Sequence, residues 1–171
     1  MPSQSSQKYQ ESDLRHLFAH HLNQLYHGKQ YIQANLPHLA AIASFNDLQL
    51  ALQELSNDVA SQLNRLNDIY KITELVPAND ECIPIQAIFK NTFILERKGV
   101  GQQLLGDLDI MLYMQLIEHI NITAYRMLLI LADELKFADI KQMLIESFDE
   151  SVDDDRLFML IANEYLTIKR R

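Results

Sequence analysis

Seven polar side chains interrupt the apolar stripes of the four most hydrophobic segments of this chain: Lys29, Asp58, Gln62, Glu118, Asn121, Ser151 and Asp155. Lys29 falls in the arc of Leu14, Phe18, Leu22, Leu25, Ile32 and Leu36, which spans about 80° at about 100° per residue. Gln62 lies within the stripe Leu48, Leu52, Leu55, Val59, Leu63 and Leu66, with Asp58 on its flank. Asn121 falls between Ile117, Ala124 and Leu128, and Glu118 between Met111, Tyr125 and Leu129. Ser151 and Asp155 sit in the middle of Ile140, Leu144, Phe148, Phe158, Ala162 and Leu166. Burying such groups singly is costly, and burying unpaired charges more so, which implies one shared interior cluster.

Acids converging from four helices on a bundle core are the layout of carboxylate-bridged di-metal centres. The donor set here is different: three carboxylates, two amides, one hydroxyl, one ammonium and no His. An ammonium at close range repels a divalent ion. The expectation is a buried, metal-free network in which Lys29 pairs with Asp58, Glu118 and Asp155. Two other roles for Lys29 are open at this point. Its stem could lie in the core with the head in water, or burial could lower its pKa and make it a nucleophile toward a carbonyl ligand.

Helices must position these residues. A first runs from Ser12 or Asp13, both good caps, to about Ser44, with a kink at Pro37. Asn46 or Asp47 caps a second that reaches about Glu74. The connection 76–85 contains Pro77 and Pro84, and a short helix follows over about 84–96. The segment 98–107 holds three of the four glycines and reads as a loop or a frayed helix start. A third long helix covers about 107–135 and a fourth about 138–168. No β-alternation and no internal repeat is present. The fold class is all-α: a four-helix bundle with a short extra helix in the crossover between the second and third long helices. Residues 1–11 are expected to be a flexible tail, and residues 12–171 a single domain.

The remaining candidates carry less chemistry. His16, His20 and His27 share a face opposite the first stripe and lack a third class of metal ligand, so a solvated face is expected. His119 lies on the polar side of the third helix, with Gln115, Thr123, Arg126 and Asp133. Tyr26 and Tyr125 could donate hydrogen bonds to the cluster, although core packing is the default for such rings. The acidic run 149–156 lacks the Gly and terminal Glu of a calcium loop and reads as exposed. Met111, Met114, Met127 and Met143 read as core filler. Cys82 is alone, so no internal disulfide is possible, and no base stands beside it.

The formal net charge of −8 argues against nucleic acid and anionic lipid as partners. No apolar run approaches the roughly 20 residues of a membrane span, and no signal peptide is evident at the start. A cytoplasmic protein is expected.

The stretches LNQLYHGKQYIQANLPHLA (22–40), ASQLNRLNDIY (60–70), ECIPIQAI (81–88) and LIEHINITAYRML (116–128) resemble the YciE/YciF-type ferritin-like stress proteins. The resemblance runs colinearly over roughly residues 13–168 and is weakest in the last helix. It implies a ferritin-like bundle, a homodimer and a di-iron centre. Family members read Leu-Tyr-x-Ala-Glu-Lys-Gln in the first helix; here Gly28 replaces the Ala and Lys29 the acid. The family's Glu and Gln or His of the second helix correspond to Asp58 and Gln62. Its Glu-His-Tyr-Glu corresponds to Glu118, His119, Ile120 and Asn121, so the second acid is gone. In the fourth helix an acid, followed four residues on by Asp, corresponds to Ser151 and Asp155.

The resulting expectation is a degenerate member with a vestigial site, no catalytic residues and no cofactor, acting through an unknown protein partner. The alternative is a remodelled iron or manganese site on Asp58, Glu118 and Asp155, with oxidase or peroxidase chemistry.

Overall fold

The computed structural model describes residues 9–79, 82–92 and 100–168. Among them are five helices: α1 (Glu11–Ile42), α2 (Asn46–Thr73), α3 (Ile83–Thr92), α4 (Val100–Glu134) and α5 (Ala138–Ile168). Short turns join α1 to α2 and α4 to α5, making two antiparallel hairpins. Further packing of α1 on α4 and of α2 on α5 closes a four-helix bundle, and α3 in the crossover lies against α1 and α4. The expected ferritin-like architecture, with its extra crossover helix, is observed. Most of the expected tail falls outside the described residues, as does the end of the expected 84–96 helix.

The buried positions explain why these segments are helices and how they pack. On α1 they include Phe18, Leu22, Leu25, Lys29, Ile32, Leu36 and Leu39, in alternating steps of four and three. The same rhythm runs through Leu48, Leu52, Leu55, Val59, Gln62, Leu66 and Ile69 on α2. On α4 it runs from Asp107 through Met111, Met114, Glu118, Asn121, Tyr125 and Leu128 to Ala132, and Leu135 just past its end keeps the same step. On α5 it is Ile140, Leu144, Ser147, Ser151, Asp154, Phe158, Ile161 and Tyr165. A strict period of 3.5 is the seam of helices wound left-handed around one another, as in coiled coils and four-helix bundles.

Several local expectations are corrected. The N-cap of α1 is Gln10, whose backbone N–H donates to Asp13 Oδ2 at 3.1 Å, so Asp13 serves from the third helical position. Phe45 is the N-cap of α2, and Asp47 supplies negative charge to its first turn. Pro37 lies inside α1, which continues past it to Ile42, as a first helix reaching about Ser44 requires. The glycine-rich start of α4 is helical from Val100, because Leu104 and Leu108 pack on the core and tertiary packing overrides glycine's weak propensity. Met111 and Met114 are buried as expected, but Met127 is exposed.

Gly28 leaves room on α1 for the crossover. A Cβ there would lie 2.7 Å from Ile85 Cδ1 and 3.2 Å from the sulfur of Cys82. The crossover is also held by Asn23, whose Oδ1 accepts from Tyr70 Oη at 3.0 Å and from the backbone N–H of Ala78 at 2.9 Å. His27 Nε2 lies 2.6 Å from the carbonyl of Ala78, so this histidine is half-buried, whereas His16 and His20 are exposed. Among the described residues no helix is long and apolar enough to cross a membrane.

Candidate functional site

The hydrophobic core is in two pieces. One contains Ile32, Leu36, Val59, Met114, Ile117 and Phe158; the other contains Leu22, Leu25, Leu66, Tyr125, Leu128 and Leu144. Between them, on every long helix, the seam positions are polar: Lys29 on α1, Gln62 on α2, Glu118 and Asn121 on α4, and Ser147, Ser151 and Asp154 on α5. The sequence-derived cluster is thus a transverse polar layer that divides the core.

Lys29 and Glu118 form its centre, and both side chains are wholly buried. Lys29 Nζ lies 3.5 Å from Glu118 Oε2 and donates to Ser151 Oγ at 3.4 Å. The Tyr125 ring faces the ammonium at 5.9 Å, a cation–π contact. Glu118 Oε1 accepts from Asn121 Nδ2 at 3.1 Å. Tyr125 Oη donates to Gln62 Oε1 at 3.3 Å, and burial drives its phenol pKa upward. The total burial of Lys29 excludes a head group reaching water.

Two of the expected partners are elsewhere. Asp155 is only partly buried and faces His119 on α4, with Oδ1 3.5 Å from Nε2. Asp58 is half-buried at the α2–α5 surface, where desolvation, then Glu150 and Glu54, raise its carboxyl pKa. The buried acid of α5 is Asp154, which sequence reasoning missed. Burial pushes its pKa up to about 8; Glu118 adds to the rise and Lys29 opposes it. Its Oδ2 has no hydrogen-bond partner, and neither do Gln62 Nε2 and Asn121 Oδ1.

The exchange of Asp155 for Asp154 has a simple cause. At about 100° per residue from Ile140, Asp154 lies about 40° to one side and Asp155 about 60° to the other; a stripe drawn through Leu144, Phe148, Ala162 and Leu166 is centred on the Asp155 side, whereas the buried seam runs through Ser147, Asp154, Ile161 and Tyr165. Steps of four and three would have found both Asp154 and Ser147. The acidic run 149–156 is thus not wholly exposed, since Asp154 points inward.

Arg65 guards the outer edge of the layer. Its guanidinium donates to Glu150 Oε2 at 2.8 Å and Oε1 at 2.6 Å, and it lies 3.3 Å from Glu146 Oε2. This fork-shaped pair joins α2 to α5 beside Ser147, to whose hydroxyl the same guanidinium donates at 3.5 Å. Among the described residues, no group of three or more His, Cys, Asp or Glu side chains is placed to hold a metal ion.

Comparison with known proteins agrees with this architecture. The chain is similar to the Escherichia coli stress protein YciF, with 19% identity, a TM-score of 0.84, and 90% of this chain and 97% of that one covered. It is also similar to YcfI of Rhodopseudomonas palustris, a protein described provisionally as structural. There the identity is 23% and the TM-score 0.77, with 92% and 97% of the two chains covered. No curated protein matches the sequence. Residues 13–169 match a family described as a domain of unknown function, DUF892, and the chain belongs to that family, as a bundle of the YciF type.

Proposed function

We propose that this protein is a ferritin-like bundle whose interior metal position has been converted into a lysine-stapled ion-pair layer. It works through its surface, as a homodimer with a further protein partner, in a stress-related setting, and not as a redox enzyme. The observation that carries this reading is the wholly buried Lys29–Glu118 pair at 3.5 Å. Glu118 offers one oxygen to Lys29 and the other to Asn121, and the other buried polar side chains of the layer are amides and hydroxyls apart from Asp154, whose carboxyl is pushed toward its neutral form by burial. This donor set does not fit a di-metal centre, because hard divalent ions need converging carboxylates and Lys29 already supplies the positive charge. The positions Lys29, Asp58, Gln62, Glu118, Asn121, Ser151 and Asp155 are read as vestigial.

Homodimerisation is supported by the surface of α4. Leu105, Leu112, Leu116, Met127 and Ile130 share one face of that helix and are all exposed. A stripe of that extent exceeds the scattered apolar exposure of an ordinary surface.

The test is elemental analysis of untagged protein after incubation with Fe²⁺, Mn²⁺ or Zn²⁺ and desalting. Metal below about 0.1 per chain is expected. Metal near one or two per chain, lost on Glu118→Ala, would overturn this reading and make oxidase or peroxidase assays the next step.

A further inference from the structure

Beside the polar layer, a cleft of about 350 Å³ opens between α2 and α5. Glu54 and Asp58 of α2 and Glu150 and Asp154 of α5 line it, and Leu157 and Leu160 form an apolar wall. Asp153 adds a fifth carboxylate, and Arg156 is the one cation among the lining residues. Glu150 is already engaged by Arg65, which leaves four acids without that partner. Acidic residues at a surface do not by themselves make a site. Asp154 is different: it is only 4% exposed, it lines the cleft, and its Oδ2 has no hydrogen-bond partner. A buried carboxyl oxygen without a partner is costly, and an ammonium arriving through the cleft would supply the missing bond and favour the ionised form.

We propose that this cleft binds a small aliphatic polyamine, with one ammonium on Asp154 and Asp58, the methylenes on Leu157 and Leu160, and a second ammonium at the rim on Glu54 and Asp153. Three observations select this chemistry. The charge is strongly negative, so the ligand is cationic. The acids do not converge as metal ligands do among the described residues, and the volume suits a molecule of several atoms rather than a bare ion. The apolar side of the wall favours a ligand with methylenes between its charges.

The cleft takes Asp154 from the polar layer and Asp58 from its flank but neither Lys29 nor Glu118, so metal lost on Glu118→Ala reports on the proposed function and polyamine binding lost on Asp154→Asn reports on the cleft. The test is calorimetric titration of the full chain with 1,4-diaminobutane and with spermidine, using butylamine and Mg²⁺ as comparisons. The diamine and spermidine are expected to bind at least about tenfold more tightly than butylamine, and Mg²⁺ not to displace them at equal concentration. Asp154→Asn, and independently Asp58→Asn, should each weaken binding by about tenfold or more while the protein still unfolds cooperatively. Having two variants keeps the test valid if one fails to fold. No saturable heat with either polyamine would overturn the proposal. So would binding that both variants leave unchanged, or equal competition by Mg²⁺, either of which would mean diffuse counter-ion attraction only.

Discussion

Removing Lys29 would leave Glu118 charged in the core, with Asn121 as its remaining hydrogen-bond partner. Breaking one side of a buried pair costs about 3–5 kcal/mol, whereas replacing both sides with apolar groups of similar volume is often neutral or stabilising. Lys29→Met is therefore expected to lower stability by about 3–5 kcal/mol, and Lys29→Met combined with Glu118→Met to recover most of that loss. Urea unfolding of the two variants checks this; a single variant as stable as the parent would remove the network from the account. Asp154 makes a second prediction, with a defined sign. Its pKa is raised from 3.8 to about 8 by burial, with Glu118, Asp58 and Glu150 adding and Lys29 opposing. Between those values the native state holds a proton that the unfolded chain has released, so this residue lowers stability progressively as pH rises. The penalty is complete above pH 8 or so and absent below about 4. Asp154→Asn should gain stability over the parent across that window, by about 2 kcal/mol or more at pH 9, and the two curves should meet at acid pH. Unfolding measured at pH 4, 6.5 and 9 decides it.

At the scale of elements, the C-terminal ends of α2 and α4 are built alike without glycine. Glu74 after α2 and Lys136 after α4 both adopt left-handed backbone, with φ of 56° and 58°. Each stop is closed by reverse hydrogen bonds, Leu75 N–H to Tyr70 O at 3.1 Å and Phe137 N–H to Ala132 O at 2.9 Å. Residues with a Cβ are strained there, and Gly is the usual occupant. Lys136→Gly is expected to raise stability by about 0.5–1 kcal/mol, read as a higher melting temperature, because its side chain also gives up no buried contact. The α4–α5 connection is also held by Lys141 Nζ on Asp133 Oδ1 at 2.6 Å, an exposed pair of small value.

At the scale of the molecule, the apolar stripe of α4 is the expected dimer contact. Leu112 lies on that stripe and is 58% exposed, so it contributes little to the core of one chain. Leu112→Glu should leave monomer stability within about 0.5 kcal/mol, while converting a dimer to monomers in sedimentation velocity. A parent chain that is monomeric at all concentrations would contradict the homodimer part of the proposed function.

The positions of the long helices, their pairing through short turns and the transverse layer of Lys29, Gln62, Glu118, Asn121 and Ser151 could be read from the sequence. Periodic burial is encoded residue by residue, and a polar group inside an apolar stripe is conspicuous. Other features could not be read. Whether Lys29 bonds Glu118 and Ser151 or instead Asp58 and Asp155 depends on the helices' rotation about one another, which no single segment specifies. The rotation of α5 within the bundle turns Asp154 inward and Asp155 toward His119. The helical start of α4 at Val100, the close approach that requires Gly28 and the cleft between α2 and α5 likewise arise only when distant segments meet. Local pattern determined which residues face inward; tertiary packing decided which of them touch.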